Sequence, residues 1–153
     1  MNAEPVMKPY VIGLDLGGTN SVFGIVDSRG DIKVTTAIKT QGYNNVDDYV
    51  KASVDALKII IDQVGGIDKI KAMGIGAPNG NYYNGTIEFA PNLEWGHDGV
   101  VPLADMFSKA LGIPVALTNE RSRNRRDDVW CGARNEKLHC YYAWNRSGVG
   151  YCR

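Results

Sequence analysis

One short stretch has residue types and spacing that could do chemistry. It is Leu14-Asp15-Leu16-Gly17-Gly18-Thr19-Asn20. Glycines let a backbone approach an anion closely and offer it N–H groups. Thr19 adds a hydroxyl and Asn20 an amide. Asp15 contributes a carboxylate suited to holding Mg²⁺ or its waters beside a phosphate. The stretch is no Walker A loop, because no Gly-Lys-Ser/Thr follows. Nor is it a dinucleotide fingerprint, since the residues after it read as a strand rather than a helix. Taken alone, a Gly-Gly turn is also an ordinary hairpin. A second cluster, Cys131, His139, Cys140 and Cys152, has ligand-type side chains. Its spacing fits no standard zinc pattern, so no zinc is expected.

The elements that must position Asp15–Asn20 are readable from periodicity. Tyr10–Leu16 is a short apolar run and reads as a buried strand. Ser21–Val26 reads as a second strand, and Ile32–Lys39, rich in β-branched residues, as a third. Val46, Val50, Val54, Leu57, Ile61 and Val64 fall three or four apart and predict an amphipathic helix. Asn45 is placed to cap it, Asp47 and Asp48 suit its positive end, and Gly65-Gly66 ends it. Ile70–Ile75 reads as a strand running into a loop over Gly76–Gly80. Thr86–Phe89 is a candidate short strand. Pro102 suits the first position of a helix over Leu103–Leu111, stopped by Gly112. Val115–Thr118 is a last strand. The order β-β-β-α-β-α-β predicts an α/β layer with a mixed sheet, antiparallel at the start.

Composition bounds the class. The chain has 153 residues, 44% apolar and 22% charged. That is ordinary for a folded domain with its own core. No apolar run is long enough to span a bilayer, and Met1–Lys8 lacks the pattern of a signal peptide. The expected location is cytoplasmic, with no membrane partner. The net charge is zero, with 17 basic and 17 acidic side chains, which argues against nucleic-acid binding by field alone. Yet the zero sums two unlike parts. Residues 1–118 carry 9 basic and 13 acidic side chains, and residues 119–153 carry 8 and 4. All three cysteines and seven of the eight arginines lie in the second part.

The front part resembles a known family. Leu14–Asn20 behind an apolar strand is similar to the first phosphate motif of the ROK sugar kinases, in the actin/hexokinase-like (ribonuclease H-like) superfamily. Gly74-Ile75-Gly76-Ala77-Pro78-Asn79-Gly80 resembles the family's loop walling the sugar pocket. Gly85-Thr86-Ile87 with Ala90-Pro91-Asn92-Leu93-Glu94-Trp95 resembles a further segment. Gly112–Asn119 resembles the stretch leading to an Asn-Asp pair. The resemblance implies ATP- and Mg²⁺-dependent phosphorylation of a hexose, glucose being the commonest acceptor. Carried over by position, Asp15, Gly17, Gly18, Thr19 and Asn20 face phosphate, with Asp15 as the Mg²⁺ residue. Gly76, Ala77, Pro78 and Asn79 border the sugar, and Asn119 bonds its hydroxyls. Trp95 and His97 are read as a packing and a surface residue.

After Asn119 the resemblance breaks. Glu120 stands where the family has its general-base Asp, followed by Arg121, Arg123, Arg125 and Arg126. Burying such charges unpaired is costly. Back-translation of Asp127–Cys152 in a frame shifted by one base can restore a family-like string, including a second Gly-rich phosphate motif. Residues 1–119 are therefore read as the N-terminal lobe, and 120–153 as a frameshifted tail ending at a premature stop. The general base, the second phosphate motif and the nucleotide lobe are then missing, and the chain is expected to be an inactive fragment. A sugar-sensing regulator of the same family is disfavoured, because only nine residues precede Tyr10. A non-catalytic module that dimerises is the third reading. The surface bared by a missing lobe predicts a homo-oligomer or other self-association.

Overall fold

The computed structural model describes residues 8–27 and 29–119. Eight strands and two helices follow one another: β1 (Tyr10–Leu16), β2 (Asn20–Val26), β3 (Ile32–Lys39), α1 (Val46–Gln63), β4 (Ile70–Ala77), β5 (Gly80–Asn81), β6 (Thr86–Glu88), β7 (Val100–Val101), α2 (Leu103–Leu111) and β8 (Val115–Asn119). A single-turn 3₁₀ helix, Ile67–Lys69, leads into β4.

The main sheet has the order β3-β2-β1-β4-β8. β1, β2 and β3 form an antiparallel meander. β1 then pairs in parallel with β4, and β4 with β8. This is the mixed sheet that the element order predicts. Large side chains line up across it. Leu14 lies opposite Phe23 on one side and Ile75 on the other, and Ile75 opposite Leu117. All four are essentially inaccessible and join one core with Tyr49, Leu57 and Phe107 of the helices. Burying each such side chain contributes roughly 1.5–3 kcal/mol. The alternate positions are small: Gly13 faces Gly24 and Gly74, and Gly74 faces Ala116.

α1 forms because its apolar positions recur at helical spacing and its first turn is capped. Asn45 is extended (φ −155°), and its Oδ1 accepts from Asp48 N at 2.9 Å. The buried face is broader than the predicted stripe. It includes Tyr49, Ser53 and Ile60, while Val46 and Val64 are only partly covered. Replacing Asn45 with Ala is expected to cost about 1 kcal/mol. Urea unfolding followed by circular dichroism measures it.

Three expectations need correction. Gly76 and Ala77 are not loop residues, because parallel pairing to β1 and β8 carries β4 through them. The loop shrinks to a two-residue turn at Pro78–Asn79. Asn20, expected in a turn, is already paired to Lys39 as the first residue of β2. Pro102 caps α2 from outside rather than opening it. A second, three-stranded antiparallel sheet, β5-β6-β7, also went unpredicted beyond its middle strand. Among the described residues, no helix is long and apolar enough to cross a membrane.

Candidate active site

The three parallel strands end on one edge of the sheet. Asp15 of β1 is level with Gly76 of β4, which is level with Thr118 of β8; one step on, Ala77 is level with Asn119. Asp15 and Thr118 therefore share a face, separated by a residue with no side chain. Adjacent strands are about 4.8 Å apart, so roughly 10 Å separates their backbones across the buried Gly76. The Gly17–Asn20 loop leaves β1 at this edge, and the Pro78–Asn79 turn leaves β4 beside it. Parallel pairing thus gathers segments distant in sequence.

The Gly17–Asn20 loop is held from behind at three consecutive carbonyls. Thr40 Oγ1 donates to Gly17 O (2.7 Å), Gln41 Nε2 to Gly18 O (2.7 Å), and Thr40 N to Thr19 O (2.9 Å). Gly17 N closes the turn on Asn20 O at 3.0 Å. A Cβ at Gly17 would lie 2.9 Å from Asn20 O, so the tight turn demands glycine there. At Gly18 a Cβ would make only ordinary contact with Asn92. Thr19 and Asn20 are exposed.

Thr40 belongs to a buried hydroxyl chain. Its Oγ1 lies 2.8 Å from Ser21 Oγ, which lies 2.8 Å from Tyr49 Oη. Each hydroxyl has one proton. Thr40 spends its proton on Gly17 O, so Ser21 must donate to Thr40 and Tyr49 to Ser21. The chain runs in one direction, from the helix to the loop. Burial pushes the Tyr49 hydroxyl well above its ordinary value, the bond to Ser21 opposing it. Trp95 stacks on Tyr49 with ring centres 4.5 Å apart, and its Nε1 donates to Thr40 O. Trp95 is a packing residue, as the sequence suggests. His97 is exposed, with Nδ1 2.8 Å from Glu94 O and Nε2 against Asp98.

On the β4 side, Asn79 adopts φ +53°. Its amide donates to Glu88 O (3.1 Å) and Phe89 O (2.9 Å). Both donor bonds stay within the fold, so here Asn79 braces the turn against β6. Phe89 is itself left-handed (φ +48°) and exposed. Gly76 and Ala77 are buried, Pro78 half-buried and Asn79 exposed.

Sequence reading missed Thr118, Thr40 and Gln41. The alternation of β8 could have placed Thr118 on the face of Asp15. Thr40 and Gln41 follow a plain strand and carry no motif. Glu120, Cys131, His139, Cys140 and Cys152 lie outside the described residues. Among the described residues no three His, Cys, Asp or Glu side chains gather as a metal site.

A sheet of this order, with a glycine turn after its central strand and the parallel strands ending beside it, is that of the actin/hexokinase-like ATPase fold. The crystal structure of a ROK glucokinase from Streptomyces griseus in complex with glucose and AMPPNP shares it: TM-score 0.59, 32% identity, covering 72% of this chain and 33% of that one. The ROK family profile matches residues 11–149, and the chain belongs to the ROK family. The match continues past Asn119, where the resemblance read from motifs stops. A glucokinase of Streptomyces coelicolor is 33% identical over 110 residues, which are 71% of this chain and 32% of that protein. A glucomannokinase sequence of Segatella bryantii is 91% identical over 23 residues, 15% of this chain and 92% of that sequence. The chain spans about a third of the length of the Streptomyces coelicolor glucokinase.

Proposed function

We propose that this chain supplies the first lobe of an ATP-dependent hexose kinase, which transfers the γ-phosphoryl group of ATP to a sugar hydroxyl. One observation carries the reading. The Gly17–Asn20 loop, the Pro78–Asn79 turn and Asn119 meet on one edge of the sheet because β1, β4 and β8 end there in register. Glucose is the first acceptor to test, with mannose beside it, given relatives named glucokinase and glucomannokinase.

In this reading the Gly17–Asn20 loop binds nucleotide phosphate through backbone N–H groups and the Thr19 hydroxyl. The Asn119 amide orients a sugar hydroxyl. Mg²⁺ commonly takes one or two carboxylates and fills its shell with water and substrate phosphate, so Asp15 suits it. When bound, the ion neutralises charge on the phosphates. The position of the general base falls to Glu120.

We further propose that 120–153 is read out of frame. The charge break at 119 supports this, and the family match running to 149 competes with it. Sequencing the coding DNA around codon 120 decides between them. An intact gene with no family continuation in the shifted frame ends the out-of-frame reading. Groups that act as a unit leave little activity when one is lost. The chain alone is therefore expected to give no glucose-dependent ADP formation in a coupled assay. Clear turnover by homogeneous protein overturns the single-lobe reading.

A further inference from the structure

We propose that Gln41 is the positioning residue that aims the phosphate-facing N–H groups of the Gly17–Asn20 loop. The inference rests on the phosphate role of that loop and adds a residue no motif contains. In a trans peptide, the C=O of one residue and the N–H of the next point in opposite directions. No peptide here is cis among the described residues. Gln41 Nε2 holds Gly18 O at 2.7 Å, so the Thr19 N–H must point away from Gln41, out of the fold. Thr40 does the same to the Gly18 N–H by holding Gly17 O. Two successive N–H groups are thus turned outward by bonds made on the far side of their peptide planes.

Gln41 is itself fixed at both ends of its amide. Nε2 also donates to Asn92 O, and Oε1 accepts from Glu94 N at 3.0 Å. Glu94 Oε2 in turn accepts from Gly42 N at 3.2 Å. The side chain therefore ties the loop to residues 92–94, of the Ala90–Trp95 segment. In this chain that segment anchors the amide that orients the loop, and Gly18 lies close to Asn92 because the two share it. Only an amide does this. It offers two protons to two carbonyls and one oxygen to an N–H. A carboxylate keeps the acceptor and puts a second negative oxygen against Gly18 O and Asn92 O.

The test is an NMR titration of the whole chain with Mg²⁺–AMP-PNP, read at the amides of Gly18, Thr19 and Asn20. Nucleotide should shift these signals in the wild type. Gln41→Ala should weaken binding about tenfold, the worth of one well-placed hydrogen bond, with β1–β3 signals unmoved. Gln41→Glu should be at least as weak at pH 7, because a carboxylate offers no proton to Gly18 O or Asn92 O. Equal affinities in all three proteins overturn the proposal, and so does a Gln41→Ala variant whose β1–β3 signals move throughout. A wild type that ignores nucleotide is also what a missing nucleotide lobe would produce, so it does not decide the role of the loop. Residual dipolar couplings of the ligand-free proteins then decide the role of Gln41. A changed Thr19 N–H direction in Gln41→Ala upholds it, and an unchanged one overturns it.

Discussion

Gly80→Ala is expected to destabilise the chain by about 2–3 kcal/mol, the usual cost of forcing atoms into a packed site. A Cβ at this position would lie 2.6 Å from Leu117 Cδ2, 2.7 Å from Thr118 O and 2.9 Å from Thr118 C. Leu117 could turn away. Thr118 O and C cannot, because they belong to the backbone of a strand paired with β4. The strain must therefore go into lifting β5 off β8. β5 follows directly on the Asn79 turn, and Thr118 adjoins Asn119, so the displacement reaches both sides of the candidate sugar wall. Gly99→Ala is the control, since a Cβ there meets nothing within 4 Å. Urea denaturation of the two variants measures the difference. Equal stabilities would mean that β5 does not rest on β8.

Tyr49→Ala is expected to cost about 3–5 kcal/mol and Tyr49→Phe only about 1 kcal/mol. The ring is fully buried, stacks on Trp95 and meets the Tyr43 ring edge-on at 5.6 Å. Truncation leaves a cavity beneath both ring contacts. Losing the hydroxyl alone orphans no donor, because Ser21 still donates to Thr40 and Thr40 to Gly17 O. Only one acceptor position on Ser21 is left empty. Alkaline pH provides a separate check. Burial raises the Tyr49 hydroxyl above its ordinary range near 10, so the unfolded chain releases this proton at lower pH than the folded one. The contribution is complete below pH 10 and is lost above it, by up to about 1.4 kcal/mol per pH unit. The unfolding free energy should fall less between pH 9 and pH 11 in Tyr49→Phe than in the wild type. Identical slopes would mean that Tyr49 ionises as easily folded as unfolded.

These two positions bear on what the sequence could and could not reveal. β1, β3, α1 and α2 were legible because each carries its own signal: an apolar run, alternating β-branched residues, or a capped stripe at helical spacing. The chemistry proposed for Asp15–Asn20 rests on residue types packed into one turn. β5 and β7 were not, since two residues carry no period. Gly76 and Ala77 look like loop by composition, and only pairing to Asp15 and Asn119 makes them strand. Gln41 escaped for a related reason. Its partners Gly18 and Asn92 lie 23 and 51 residues away, and nothing local announces them. Tyr49 was invisible as a network member, because the predicted stripe of α1 was traced through its aliphatic residues alone.

The mixed sheet also sets a timetable for synthesis. β1, β2 and β3 can pair as soon as Lys39 has cleared the ribosome, since their partners are local. The other edge of β1 must then stay open until β4 arrives, with residues 40–77 still to be made. At typical elongation rates that is roughly 2–8 s, long compared with the microseconds in which a hairpin forms. β4 in turn exposes an edge until β8 emerges. A nascent chain holding apolar strands unpaired for seconds offers a template for wrong partners. Dilution or a bound chaperone during translation should therefore raise the yield of folded protein more than any change to its finished core.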